Sequence, residues 1–303
     1  MQTGTLAMHL DLLKPSTTSL DAVMGALVTA DFSKLARRVI AHGYDVLEIS
    51  TDLMSFLPGL FSIRQMQRLA ALRAQTGVQY TVHLPFWSVE LSSPVEAVRA
   101  GSLAATVEAV HMTEALSPQV YILHATGHLA AEFVEMGLQG IMRRVTLGRF
   151  MDAARRSLEQ ILRKTGLPSR RLAVENVQFP LDLTLNLAQE FDLGFCFDTG
   201  HLLGGFSGPY DVYDALQQVL PRLVEVHLHD SPQCPPERPG HGLDHQALGK
   251  GDLDVRRLLG QLQAAGWDGP LVLETRTLAD ANRSLEVLYA AVPELAERFP
   301  AIA

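Results

Sequence analysis

The sequence predicts an α/β fold, a single closed barrel of eight parallel strands with helices outside. Three observations predict it. Strand-length apolar runs alternate with helix-length amphipathic segments about eight times along the 303 residues, the pattern of a parallel sheet. Six runs end on a His, Asp or Glu: 78–83, 120–124, 172–175, 194–198, 224–227 and 271–274. No glycine-rich dinucleotide fingerprint follows the first strand, which weighs against a doubly wound sheet. An α/β barrel commonly uses about 250 residues as one domain, so residues 1–303 are expected to form one barrel domain.

The elements follow in order. The first strand is expected at 5–12. An irregular stretch with Pro15 and a Ser/Thr cluster comes next, with room for a short helix. Asp31 or Ser33 can cap a helix that runs to His42 and stops at Gly43. Residues 45–50 make the second strand. An amphipathic helix over 62–75 ends at Gly77. The third strand is 79–83, and a long helix over 94–116 opens at Ser93 with Pro94 in its first turn. The fourth strand is 119–124. A helix over 141–164 stops at Gly166 and Pro168. Strands five and six are 171–176 and 193–198, with a helix over 211–220 after them. Strand seven is 223–230, followed by a helix over 254–265. Strand eight is 270–275, and a helix over 279–295 closes the chain.

Parity strengthens the barrel. Strand residues two apart share a face. Two places before each terminal residue stand Thr81, Ile122, Ala173, Cys196, Glu225 and Val272, mostly compact. Between them lie Val82, Leu123, Val174, Phe197, Val226 and Leu273, apolar side chains suited to outer helices. The terminal residues are therefore expected in the lumen, at the strand ends where barrel sites form.

Composition narrows the function. At 47% hydrophobic and 19% charged, the chain has an ordinary globular balance. No apolar run approaches the roughly 20 residues that span a bilayer, and the N-terminus lacks a basic region and carries Asp11 in its apolar stretch, unlike a signal peptide. Two cysteines, Cys196 and Cys234, exclude a disulfide framework and fit a cytoplasmic protein without a membrane partner. A net charge of −8 disfavours a broad grip on nucleic acid. The basic run from Arg143 to Arg171 reads as a solvated helix face, with an interface or anion-binding surface as the alternative. A homo-oligomer is compatible with this reading.

Glu175, Asp198, His227 and Glu274 are the central candidates. Three carboxylates and an imidazole form a hard, oxygen-rich set suited to zinc, manganese, cobalt or magnesium. A dication resolves the repulsion of three carboxylates at one rim. His83 and His124 end neighbouring strands and can join Glu175 in a second set of zinc type, so one ion is favoured and two are allowed. His201 lies just past Asp198 and can hold substrate or a further metal. His229 shares a face with His227, one step nearer solvent, and Asp230 lies behind the ligands. The Pro- and Gly-rich stretch 231–245 is long enough to lie over the site. Phe86 and Trp87 can stack on a sugar or a base, or pack the rim.

These motifs together resemble the xylose isomerase-like barrel superfamily, which includes endonuclease IV (AP endonuclease family 2) and sugar phosphate isomerases and epimerases. They are VHLPF at 82–86, LHATGH at 123–128, VEN at 174–176, FDTGH at 197–201, VHLHD at 226–230, DHQALGKGDLD at 244–254 and PLVLET at 270–275. The resemblance implies a sugar or sugar-phosphate isomerase or epimerase. It implies one divalent metal held by Glu175, Asp198, His227 and Glu274. Glu175 and Glu274 act as acid and base through a metal-stabilised enediolate. His201 would hold a substrate oxygen; His245, Arg276 on the Glu274 face of its strand, and Phe86 and Trp87 where they do not pack the rim, are the further candidates for substrate binding. The substrate is then a small carbohydrate, with nucleic acid disfavoured. The alternative is an endonuclease IV-like zinc phosphodiesterase that uses metal-bound hydroxide. There His83, His124 and Glu175 bind one ion, and Glu175 bridges to a second. His201 and His245 take a third. The chain departs from that pattern: Leu243 stands where the third site's carboxylate belongs, and Lys250 replaces a common Glu.

Overall fold

The computed structural model describes residues 1–7, 9, 31–54 and 61–296. Eight parallel strands close in sequence order. They are β1 (Gln2–Leu6), β2 (Val46–Ser50), β3 (Gln79–His83), β4 (Tyr121–Leu123), β5 (Leu172–Glu175), β6 (Gly194–Asp198), β7 (Leu223–Leu228) and β8 (Pro270–Leu273). β1 closes the ring on β8, with Gln2 opposite Pro270 and Thr5 opposite Leu273.

That closure corrects the first strand, which begins three residues earlier than the apolar pattern suggests. Pairing with β8 and β2 selects Gln2–Leu6, because a ladder partner outweighs local hydropathy. The far end of the expected strand, at Met8 and 10–12, and the Pro15 stretch lie outside the described residues.

The helices follow their local signals where a cap is present. Asp31 caps Phe32–Ile40 by accepting from Ser33 N. Ser62 caps Ile63–Thr76, and Gly77 ends it in the left-handed region at φ 79°. The long helix after β3 is shorter than expected, Glu96–Thr113. The Ser93 hydroxyl accepts from Val95 N in a preceding turn, so Pro94 stays outside the helix. Gly140–Thr165 and Val255–Ala264 agree with the sequence to within a residue at each end. The closing helix is Leu278–Ala291, then a break at Val292 and a turn at Pro293–Ala296. Three helices had no counterpart in the sequence pattern: His128–Glu135, Leu181–Glu190 and Thr199–Leu203.

The two faces of the strands separate as parity requires. Val82, Leu123, Val174, Phe197, Val226 and Leu273 belong to the outer core against the helices. Ile122, Ala173 and Cys196 form a smaller cluster with Val120, and Val224 packs on it. Between β6 and β7 the register shifts: Phe195 pairs with Leu223 but Cys196 with Glu225, so Val224 is skipped. Beyond that bulge Asp198 pairs with His227, which brings both side chains to the same height. Among the described residues no helix is long and apolar enough to cross a membrane.

Candidate metal centre

Glu175 is the hub of the C-terminal rim. Its Oε2 lies 3.2 Å from His83 Nε2 and 3.1 Å from His124 Nε2. Its Oε1 lies 3.3 Å from His201 Nδ1 and 3.4 Å from His227 Nδ1. One carboxylate thus serves both expected cation groups, Glu175–Asp198–His227–Glu274 and His83–His124–Glu175, and also belongs to a third, Glu175–Cys196–His227. Asp198 and His227 are fully buried, and Glu175 is 1% exposed. Glu274 sits higher, just past the end of β8, with its side chain 16% exposed.

The donor set fits a divalent cation on an observation independent of residue type. His227 Nδ1 is buried without a hydrogen-bond partner. It faces Glu274 Oε2 at 3.2 Å and Asp198 Oδ2 at 3.9 Å, besides Glu175. Its other nitrogen, Nε2, lies 3.2 Å from Glu48 Oε2. A proton on Nε2 donated to Glu48 leaves the Nδ1 lone pair pointing at three carboxylates, as a ligand imidazole requires. His83 has the same logic: Nδ1 donates to Leu84 O at 2.9 Å, which frees Nε2.

Protons supply the compensating charge when no cation does. Burial opposes ionisation of His83, but the hydrogen bond and charge of Glu175 outweigh it and raise the pKa to about 9. Burial likewise opposes His201, yet Asp198 and Glu175 raise it to about 10. Burial disfavours the Glu175 and Glu274 carboxylates, but neighbouring histidines, His227 foremost, hold both well below the usual range. His124 is the exception, lowered by its own burial. Its neutral form is the one that could hold a cation.

The surroundings orient these groups. Asn176 clamps the backbone of Asp198 with both ends of its amide, and its carbonyl lies 3.0 Å from His201 Nδ1. Asp198 Oδ1 accepts from His201 N at 2.7 Å, capping Thr199–Leu203. Its Oδ2 lies 2.9 Å from His229 Nε2. His229 is fully buried, not nearer solvent as its place in the strand suggests, because the chain folds back over it. The amide of His245 donates to His229 Nδ1 at 2.8 Å, and the two rings stack at 4.2 Å. Gly200 makes room: a Cβ there would lie 2.1 Å from the His229 ring. Asp230 accepts from Ser231 N, Gly249 N and Leu253 N and so pins the returning chain.

The remaining expected residues divide. Phe86 packs on the centre, its ring 5.0 Å from His83 and 4.5 Å from His124. His245, His201 and His229 form a third histidine group, while Asp244 Oδ2 holds His245 Nδ1 at 2.9 Å. Leu243 is 47% exposed and adds no ligand there. Trp87 and Arg276 are not brought to the centre. The Trp87 ring, 49% exposed, lies beyond Phe86, and Arg276 donates to Gly242 O at 2.8 Å, holding the 231–245 stretch. Glu48 was missed by the sequence reading. A lone carboxylate within the apolar strand 46–50 was the available signal.

Above these residues lies a hollow of about 240 Å³, lined by Phe86, His124, Thr126, Gln178, His201 and His245 among others. Its walls come from five different strand–helix connections, the usual construction of a barrel site.

Comparisons with known proteins agree with this architecture. The uncharacterized protein MJ1311 of Methanocaldococcus jannaschii is 25% identical over 270 residues, 86% of this chain and 83% of its own. The crystal structure of a D-tagatose 3-epimerase-like protein superposes with a TM-score of 0.68 at 21% identity, covering 98% of this chain and 99% of that one. Endonuclease IV from Thermus thermophilus superposes with a TM-score of 0.66 at 22% identity, covering 97% and 100%. At these identities the superpositions establish the fold alone. The profile of the xylose isomerase-like TIM barrel family matches residues 36–291, and the chain belongs to that family.

Proposed function

We propose that this protein is a divalent-metal-dependent isomerase or epimerase of a small carbohydrate. The observation that carries the reading is the pair Glu175 and Glu274. They stand on β5 and just beyond β8, and both reach His227 Nδ1, at 3.4 and 3.2 Å. Two carboxylates joined to the hollow through His124, His201 and His245, which line it, suit a reaction in which one removes a carbon-bound proton and the other returns it. The D-tagatose 3-epimerase-like neighbour makes that chemistry a reasonable comparison.

A divalent cation on Glu175, Asp198, His227 and Glu274 supplies Lewis acidity toward a substrate carbonyl and hydroxyl. The chain's own residues do the rest. Glu175 and Glu274 are held ionised by the surrounding imidazoles, so either can accept a proton. With its Nδ1 turned to the Asn176 carbonyl, His201 offers Nε2 to a substrate oxygen. Asp244 orients His245 at the mouth. Phe86 gives an apolar face for the C–H side of a sugar. Asp244 and His245, at the end of the 231–245 stretch, line the hollow.

A second reading has its own observation. His83 and His124 converge on the same Glu175 oxygen, which suits a second ion and hence a phosphodiesterase like the endonuclease IV neighbour. The net charge of −8 opposes a polyanionic substrate.

The test is solvent-deuterium exchange into ketoses by protein loaded with manganese or cobalt. Incorporation at the carbon next to the carbonyl supports the isomerase. Its absence, with cleavage of a phosphodiester by zinc-loaded protein, overturns it.

A further inference from the structure

A second and larger cavity of about 770 Å³ adjoins the metal-site hollow. Phe206 and Gln178 line both. The Phe206 ring stands between the two, 5.7 Å from His201 on the inner side and 5.0 Å from His241 on the outer. Glu135 ties the junction together: its Oε1 lies 2.6 Å from Gln178 Nε2 and 2.8 Å from His241 Nε2. Three separate segments therefore meet here, the helix His128–Glu135, the connection after β5 and the stretch 231–245. The first of these had no counterpart in the sequence pattern, and neither cation group uses its residues.

The sizes of the two cavities are unequal in an informative way. Sites for drug-sized ligands run to about 300–1,000 Å³. The inner hollow falls below that range, so it suits a single small unit. The outer cleft falls well inside it. Its lining is mixed: aromatic faces from Phe133, Phe206 and Tyr210, amides from Gln139 and Gln178, and charged groups. Aromatic faces beside amides and carboxylates match the C–H faces and hydroxyls of a sugar. The charged groups select further. Asp182, Glu237 and Glu135, the last paired with His241, outnumber the single guanidinium of Arg143, a balance that disfavours phosphate and tolerates a neutral polyol.

We propose that this outer cleft is a subsite for a second, neutral glycosyl unit, so that the substrate is a ketose extended by another sugar ring. The inference rests on the carbohydrate isomerase reading above and names its substrate class. The ketose end occupies the hollow lined by Phe86 and His245. The glycosyl end passes Phe206 and lies between Tyr210 and Arg143. Binding energy from the outer ring then improves the reaction of the inner one, so truncated sugars are poor substrates.

The experiment compares D-fructose and D-tagatose with the disaccharide ketoses lactulose, maltulose and isomaltulose, which differ in linkage. Deuterium exchange and equilibrium binding, by calorimetry, are both measured on metal-loaded protein. At least one disaccharide is expected to show kcat/KM and affinity about tenfold above either monosaccharide, the scale of one or two added hydrogen bonds. Arg143→Ala and Asp182→Ala, two exposed positions of the cleft, are expected to erase that advantage. Exchange into monosaccharides with no gain for any disaccharide overturns the subsite and leaves the isomerase standing. Tighter disaccharide binding that the variants abolish, with no exchange from any sugar, keeps the subsite and overturns the isomerase. Equal binding of all five sugars overturns the subsite whatever the turnover.

Discussion

Asn176 grips Asp198 at both of its backbone polar atoms: its Nδ2 donates to Asp198 O, and Asp198 N donates to its Oδ1, each at 2.8 Å. Strand β6 thus ends against a side chain from the end of β5, and the Asp198 carboxylate inherits its height from that clamp. Asn176→Ala leaves a buried amide and carbonyl unpaired, a loss of about 1–3 kcal/mol. The melting temperature is expected to fall, and metal affinity by calorimetry to drop about 10–100-fold. An unchanged affinity would show that Asp198 keeps its place without the clamp.

Glu175→Gln removes the one carboxylate common to both cation groups. Metal content per chain, read by plasma mass spectrometry, is expected to fall well below one, and turnover to disappear. A variant that stays active with full metal content would falsify the placement of the centre.

His124→Ala separates the two readings of the site. His124 belongs only to the group it forms with His83 and Glu175. An isomerase working with one ion is expected to keep its activity within about an order of magnitude, since the other four ligands remain. A two-ion hydrolase loses both an ion and its turnover.

Metal affinity is expected to rise with pH, and the ion-free fold to weaken. Without a cation His83 and His201 have pKa values of about 9 and about 10, and His227 is held well above the ordinary value despite its burial, so at neutral pH a cation in either group must displace the proton of its own histidine ligand, His227 or His83. For each proton displaced, apparent affinity gains about tenfold per pH unit, levelling once that histidine is neutral. Both pKa values exceed the ordinary imidazole value of 6.5. Their contribution to folding is therefore fully present below pH 6.5 and lost as pH rises through about 9 and 10. Thermal melts of chelator-treated protein across this window should show a declining midpoint, and the metal-loaded protein a flatter one. A flat midpoint in both would contradict the assigned protonation.

Gly200→Ala tests the packing behind the ligands. The added Cβ would meet the His229 ring at 2.1 Å, so His229 must move and its contact with Asp198 Oδ2 with it. A destabilisation of about 1–3 kcal/mol is expected from overpacking, with weaker metal binding. Wild-type values for both would show that the ring has room to give.

Much of this protein was legible from its residues in order. Alternating parity along 78–83, 120–124, 172–175, 194–198, 224–227 and 271–274 determined which side chains enter the lumen, because a strand repeats every two residues whatever surrounds it. The barrel and its six convergent ligand candidates follow from that period. Asp31 and Gly77 marked helix ends because caps act over three or four residues. What depends on contacts between distant segments was decided only in the tertiary structure. β1 took its place from β8, with Thr5 opposite Leu273 across 268 residues of sequence. Glu48 became a partner of His227 only when β2 and β7 faced each other across the lumen. His229 was buried by His245 folding over it, and the cleft beyond Phe206 arose where three connections met. Local periodicity carries no information about which loops will share a wall, so the ligand candidates could be read from the strands and the shape of the site could not.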